Sequence, residues 1–157
     1  MSGAVILPGS YDPVTLGHLD VIRRACKLYS KVYAVVFINP EKEYMFTLEQ
    51  REDMLRLATA DLPGVTVDSC TGLVVEYMQA HGIDKIVKGY RNSEDLEYER
   101  RQADYNLKHG GFETELVLAD ERLSGVSSTL AREKIEKGEN LSDILPETVI
   151  EYIKNIV

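Results

Sequence analysis

Tryptophan is absent from the 157 residues, and cysteine and histidine occur only two and three times. Each shortage removes a class of protein. Two cysteines cannot build the disulfide framework on which small secreted domains rely. Cys26 falls on the apolar stripe of an expected helix and Cys70 near a strand end, so both read as reduced, packed thiols. The histidines and cysteines show no metal-ligand spacing, and no metal-binding residue is expected. Long apolar runs are missing too. The stretch Ala4 to Leu7 is too short for a signal-peptide core and lacks a basic flank, so a cytoplasmic protein with no membrane partner is expected. Positive charge is scarce: 18 Lys and Arg stand against 26 Asp and Glu, a net charge of −8. Nucleic-acid binding needs a basic face to release counterions, so no polynucleotide partner is expected. A small anionic ligand needs only local positive charge.

What is present is ordinary for a globular chain, with 44% apolar and 28% charged residues. The length suits one domain spanning residues 1–157, with no repeat, linker or low-complexity stretch. Apolar runs alternate with amphipathic segments. "AVIL", "KVYAVVFI", "GVTVDSC", "DKIVKGY" and "TELVLAD" read as strands. Between them fall helices from about Leu16 to Tyr29, from Thr47, from about Leu73 to His81, and over "SEDLEYERRQADYNLKHGG". "SSTLAREKIEKG" and the tail from Pro146 add two more. Thr47 and Gln50 are in capping-box register, and Gly82 closes the third helix. This order predicts an α/β fold, a single-domain Rossmann-like parallel five-stranded sheet with helices on both faces. Ligands of such sheets sit beyond the carboxyl ends of the strands, where the strand order reverses.

Four segments carry residues suited to chemistry. "LPGSYDPVTLGH" leaves the first strand with Gly9 and Ser10, stiffens at Pro13, and places Gly17 and His18 in a first helical turn. The positive end of a helix dipole there suits an anion, although a histidine in that turn can also merely cap it. "VKGYRNSEDLEYE" sets Lys88 and Arg91 around Gly89 at the end of the fourth strand, which suits phosphate oxygens or, equally, a solvated charge pair. "SGVSSTLARE" offers free N–H groups and hydroxyls at a helix start, a phosphate nest or a plain N-cap by Ser127 or Ser128. "NPEKEYMFTLEQR" puts Lys42 in a turn after the second strand, within reach of the same edge.

Together and in this order, the four segments resemble the nucleotidyltransferases of the HxGH superfamily, and within it the phosphopantetheine adenylyltransferase family. The likeness runs from "PGSYDPVTLGH" through "MFTLEQR" and "VKGYRNSEDLEYE" to "VSSTL". The (T/H)xGH element is "TLGH", with Thr15 where many members have a first histidine. The threonine form, with "DLEYE", points away from cytidylyltransferases and nicotinate-nucleotide adenylyltransferases. The resemblance implies that Ser10 stands where a family threonine touches acceptor and ATP, and that His18 serves the transition state. Lys42 matches the lysine at the pantetheine phosphate, and Lys88 a substrate-phosphate position that is often arginine. Val74 stands where an apolar residue lines the pantetheine arm. Tyr11, Gly89, Tyr90, Arg91, Glu99, Ser124, Gly125, Val126, Ser127, Ser128, Thr129 and Leu130 fall at ATP-binding positions, and His18, Lys42 and Arg91 form the catalytic set.

The reaction so implied transfers the adenylyl group of ATP to 4′-phosphopantetheine, giving dephospho-coenzyme A and pyrophosphate. Direct in-line attack without a covalent intermediate is expected, with Mg²⁺ carried by the ATP phosphates, coenzyme A as feedback ligand, and a homohexamer. A phosphomonoester with a second pKa of about 6 is largely dianionic at neutral pH and needs no general base. The difficulty is repulsion between anions, which positioning and positive charge relieve. Two other readings remain at this level: a sibling enzyme using CTP or another phosphorylated acceptor, and a sensor that holds ATP without turnover.

Overall fold

In the computed structural model, which describes residues 3–156, five strands lie parallel in one sheet. They are β1 (Ala4–Gly9), β2 (Lys31–Phe37), β3 (Val65–Cys70), β4 (Lys85–Tyr90) and β5 (Glu113–Leu118), in the order β3-β2-β1-β4-β5. The connecting helices are α1 (Leu16–Leu28), α2 (Leu48–Ala58), α3 (Val74–His81) and α4 (Ser93–Gly110). A 3₁₀ turn at Glu121–Leu123 leads to α5 (Ser128–Lys137), and α6 (Glu147–Ile156) follows.

Strand alternation explains the two layers. Val5 and Leu7, Ala34 and Val36, and Val87 point to one face, where they pack with α1, α2, α5 and α6 through Ile22, Leu55, Ala131 and Val149. Ile6, Val35 and Ile86 point to the other, against Tyr77 and Met78 of α3. Both faces are therefore apolar, which is why the strands read as continuous hydrophobic runs. The chain steps outward from β1 through β2 to β3, then returns across the sheet to β4 and β5. That reversal lies between β1 and β4, whose pairing is confined to Val5–Lys85 and Ile6–Ile86. Beyond those pairs the two strands part, and a cleft opens at their carboxyl ends.

The expected fold class stands, with small changes of boundary. The first strand runs two residues further than "AVIL", because Pro8 and Gly9 keep register with Val35 and Val36 of β2. A proline near a strand end gives up one ladder donor and nothing more. Thr47 caps α2 in a capping box with Gln50, as its spacing predicts. Gly82 and Gly111 take the left-handed conformation that closes α3 and α4. Cys26 and Cys70 are free thiols.

Candidate active site

The peptide after β1 is built around buried side chains. Tyr11 adopts φ 48°, uncommon for a bulky residue and a local strain of about 1–3 kcal/mol. It is held there because its ring is 4% exposed and its hydroxyl donates to the Leu7 carbonyl at 2.7 Å. Asp12 accepts the N–H groups of Met45 and Phe46 at 2.9 and 3.0 Å, hooking the loop after β2 onto the loop after β1. Arg132 of α5 donates to the Asp12 carbonyl at 2.8 Å. Three separate segments are thereby drawn around one opening.

At the start of α1, Thr15 and His18 form a capping box in which the imidazole replaces the usual carboxylate. The Thr15 amide donates to His18 Nδ1 at 3.0 Å, and the His18 amide donates to Thr15 Oγ1 at 3.3 Å. Since Nδ1 accepts, the neutral ring carries its hydrogen on Nε2. The ring rests against Tyr11, centroids 5.0 Å apart. Burial, followed by the positive charges of Lys88 and Arg91, pulls the His18 pKa down to about 4. At neutral pH His18 is an uncharged hydrogen-bond donor. Capping and ligand-facing readings of this histidine are thus compatible: one nitrogen caps and the other is left for the cleft.

Lys88 and Arg91 are both at this edge, each beside a carboxylate. Lys88 Nζ donates to the Pro8 carbonyl at 3.3 Å and lies 3.4 Å from Glu99. Burial pushes the Glu99 carboxyl up, opposed by Lys88. One oxygen of Asp95 accepts both the backbone amide and Nε of Arg91, at 3.1 and 3.0 Å. That grip leaves the far nitrogens of the guanidinium to reach an anion. Asp95 and Glu99 stand one turn apart on the inward face of α4, while Glu94 and Glu97 of the same acidic run are exposed.

Gly89 has a steric reason. A Cβ there would lie 2.9 Å from Val21 Cγ2 of α1, so only glycine lets β4 pass close beneath the helix that carries His18. Gly89→Ala is expected to cost about 1–3 kcal/mol through overpacking. Thermal melting should show a drop of about 2–4 °C per kcal/mol, and an unchanged melt would mean that Val21 yields freely.

Two cavities open on the cleft. The first, about 340 Å³, is lined by Tyr11, Gly17, His18, Gly89, Tyr90, Arg91, Val126, Ser127, Ser128, Thr129 and Arg132 among others. The second, about 350 Å³, is lined by Phe37, Asn39, Tyr44, Val74, Tyr98, Gln102 and Asn106 among others. Pro8, Gly9, Ser10, Lys42, Lys88 and Glu99 line both, so the chambers meet at a shared wall. Lys42 Nζ lies 3.5 Å from Ser10 Oγ at that wall.

Most residues singled out in the sequence come together here. Ser124, Gly125 and Leu130 line neither cavity; Ser124 Oγ donates to the Glu121 carbonyl and Leu130 packs on the core. In α5, Ser127 accepts the Leu130 amide as a plain N-cap and Ser128 donates to the Pro13 carbonyl at 2.8 Å. The capping reading holds for Ser127, yet both serines also face the first chamber. Asp12, Asp95, Arg132 and the second-chamber residues Tyr98, Gln102 and Asn106 were not singled out. Asp95 had a usable signal, four residues after Arg91 across the start of α4; the Asp12 hook across the chain had none.

A parallel sheet whose switch-point cleft gathers a helix-borne histidine, a lysine and an arginine defines a nucleotidyltransferase of the cytidylyltransferase-like type, and the profile of that family, "Cytidylyltransferase-like", matches residues 6–134. Relatives narrow the class. The phosphopantetheine adenylyltransferase of Corynebacterium efficiens is 45% identical over 150 residues, 95% of this chain and 94% of its own. Those of Corynebacterium glutamicum (strain R) and Corynebacterium diphtheriae are both 43% identical, over 94% and 92% of this chain and 93% and 91% of theirs. The chain belongs to the phosphopantetheine adenylyltransferase family.

Proposed function

We propose that the two chambers hold ATP and 4′-phosphopantetheine, and that the enzyme moves the adenylyl group from the first to the second at their shared wall. The observation that carries this reading is the wall itself: Ser10, Lys42 and Lys88 line both cavities. A phosphate oxygen of the acceptor attacks the α-phosphorus of ATP in line. The bond from that phosphorus to the bridging oxygen breaks, and pyrophosphate leaves with the electron pair. The products are dephospho-coenzyme A and pyrophosphate.

Each group has a role suited to that chemistry. Lys42 and Lys88 hold the acceptor phosphate, and Arg91 and His18 gather charge around the phosphates of ATP. The Nε2–H tautomer of His18 makes it a donor, with Nδ1 occupied by the Thr15 amide, which supports direct attack over a histidine-bound intermediate. The Ser128 and Thr129 amides, ahead of the Leu130 amide that Ser127 caps, suit the same polyanion. Val74, Phe37 and Tyr98 give the second chamber apolar wall, while Asn39, Gln102 and Asn106 suit the amides of a pantetheine arm.

Among the described residues no cluster of three or more His, Cys, Asp or Glu side chains could hold a metal ion. The carboxylates of the cleft are already engaged, Asp12 by amides, Asp95 by Arg91 and Glu99 by Lys88. This donor set fits Mg²⁺ that arrives on the ATP phosphates, where it neutralises charge on the leaving group. Coenzyme A contains both an adenine nucleotide and a pantetheine arm, so it suits the joined chambers as a feedback ligand. A homohexamer is supported by α4, which exposes Tyr105 and Leu107, neither of which lines a chamber. Among the described residues no helix is long and apolar enough to cross a membrane, and a role in coenzyme A synthesis supports a cytoplasmic location.

Pyrophosphate release tests the reading. Turnover is expected with ATP, Mg²⁺ and 4′-phosphopantetheine, and not with CTP, glycerol 3-phosphate or nicotinate mononucleotide. Binding of ATP without turnover would favour the sensor reading. Lys42→Ala should raise KM for the acceptor by about tenfold or more, the loss of one charge-assisted hydrogen bond. Separate substrate titrations check this: collapse of ATP binding with untouched acceptor kinetics would remove Lys42 from the acceptor site.

A further inference from the structure

Arg51, on the first turn of α2, is a buried cation in an unusual setting. It is 2% exposed, and among the described residues it forms no ion pair with a carboxylate. A buried charge persists when hydrogen bonds and polarisable groups replace its water. Here Nε donates to the Phe46 carbonyl at 3.2 Å and Nη1 to the Ser10 carbonyl at 3.1 Å. The Tyr44 ring covers the guanidinium, its centroid 3.9 Å from the central carbon.

Tyr44 belongs to the loop that carries Lys42, and it ties that loop shut. Its hydroxyl accepts the Asn39 amide at 2.9 Å, closing the turn around Lys42. Lys42 Nζ lies 5.8 Å from the same ring centroid and 3.5 Å from Ser10 Oγ. The contacts form a closed circuit from Ser10 through Arg51, Tyr44 and Lys42 back to Ser10. An exposed lysine on a free loop would sample many rotamers and lose that freedom on binding a phosphate. A loop stapled to a buried helix presents it already restricted.

We propose that Tyr44, stacked on Arg51, is a positioning residue that holds Lys42 opposite Ser10 and so sets the enzyme's affinity for a phosphorylated acceptor. This rests on the assignment of Lys42 to the acceptor phosphate. Tyr44 also lines the second chamber, and the cycle below separates action through Lys42 from a direct contact with the acceptor, which would persist without Lys42.

The test is a double-mutant cycle on the full-length protein, with pyrophosphate release as the readout. Arg51 is left in place, because replacing it threatens folding. Tyr44→Leu is expected to raise KM for 4′-phosphopantetheine by about tenfold, and to change KM for ATP by less than about twofold. Tyr44→Phe keeps the stack and loses the Asn39 contact, so it should fall between the two. In a Lys42→Ala background, Tyr44→Leu should add less than about twofold, because the group it positions is gone. Additive effects in that background would overturn the proposal, as would a lowered melting temperature with unchanged acceptor KM. The wild type separates the two layers of inference. Lack of turnover with 4′-phosphopantetheine but turnover with another phosphomonoester overturns the acceptor assignment, and the same cycle read with that acceptor still decides for or against Tyr44.

Discussion

Replacing His18 with alanine is expected to lower kcat by about 10²–10³-fold, the typical loss for one donor aimed at developing charge, while ATP affinity changes little. The reason is geometric. His18 holds Nδ1 toward the Thr15 amide at 3.0 Å, which leaves Nε2–H as its one outward donor at the head of α1. A donor at that place gains most when charge builds on the α-phosphate, so its loss shows in the transition state more than in the bound substrate. Single-turnover kinetics with ATP titrated separately measure both quantities. A variant with near-normal kcat would remove His18 from the mechanism.

The pH dependence of this variant is equally definite. With its pKa pulled down to about 4, His18 is uncharged across the neutral range. The acid limb of kcat/KM should instead follow the acceptor phosphate, whose second pKa is about 6. The limb should therefore persist in His18→Ala, at a lower plateau. Its disappearance would mean that the imidazole itself titrates during catalysis. Stability follows the same sign: a histidine whose folded pKa is lowered contributes stability above its unfolded value. That contribution declines as the pH falls toward the folded value.

Lys88→Ala is expected to lower kcat/KM for the acceptor by about 100-fold, beyond the loss of a single charge-assisted bond. Two deficits add. The acceptor phosphate loses a counter-charge at the wall shared by both chambers. Glu99, whose side chain is 13% exposed and whose carboxyl is already pushed up by burial, loses its partner at 3.4 Å. An unpaired carboxylate would then face an incoming dianion. Lys88→Arg keeps the charge and should stay within about tenfold of wild type, the difference between a point charge and a planar fork. Glu99→Gln in the Lys88→Ala background should recover several-fold, since it removes the orphaned charge. The measurement is kcat/KM at matched ionic strength across all four proteins. Equal values for wild type and Lys88→Ala would reduce Lys88 to a surface charge.

The legible part of the site has a common character. Lys88, Gly89 and Arg91 lie within a few residues of the end of β4, and His18 in the first turn of the helix that follows β1, so the element pattern alone brings them to the carboxyl edge of the sheet. Thr47 and Gln50, three apart, announced a capping box that forms as spaced. Within α4, the helical period turns Asp95 and Glu99 inward together and leaves Glu94 and Glu97 exposed. Asp12 was different. Its carboxylate binds amides 33 and 34 residues away, and nothing near it in sequence marks those partners.

Local order, then, was determined by the sequence: which segments are strands and helices, where they start, and which end of each strand carries chemistry. These follow from short-range physics, the two- and 3.6-residue periods and the donors and acceptors within a turn. Tertiary structure decided what crosses the chain. It chose the partners of two cations: Glu99 for Lys88, and an aromatic face with two carbonyls for Arg51. It also divided the cleft into two chambers with one shared wall. Those outcomes depend on side chains meeting in space after the sheet has formed. A one-dimensional pattern carries no term for such meetings, because burial and desolvation are properties of the packed whole.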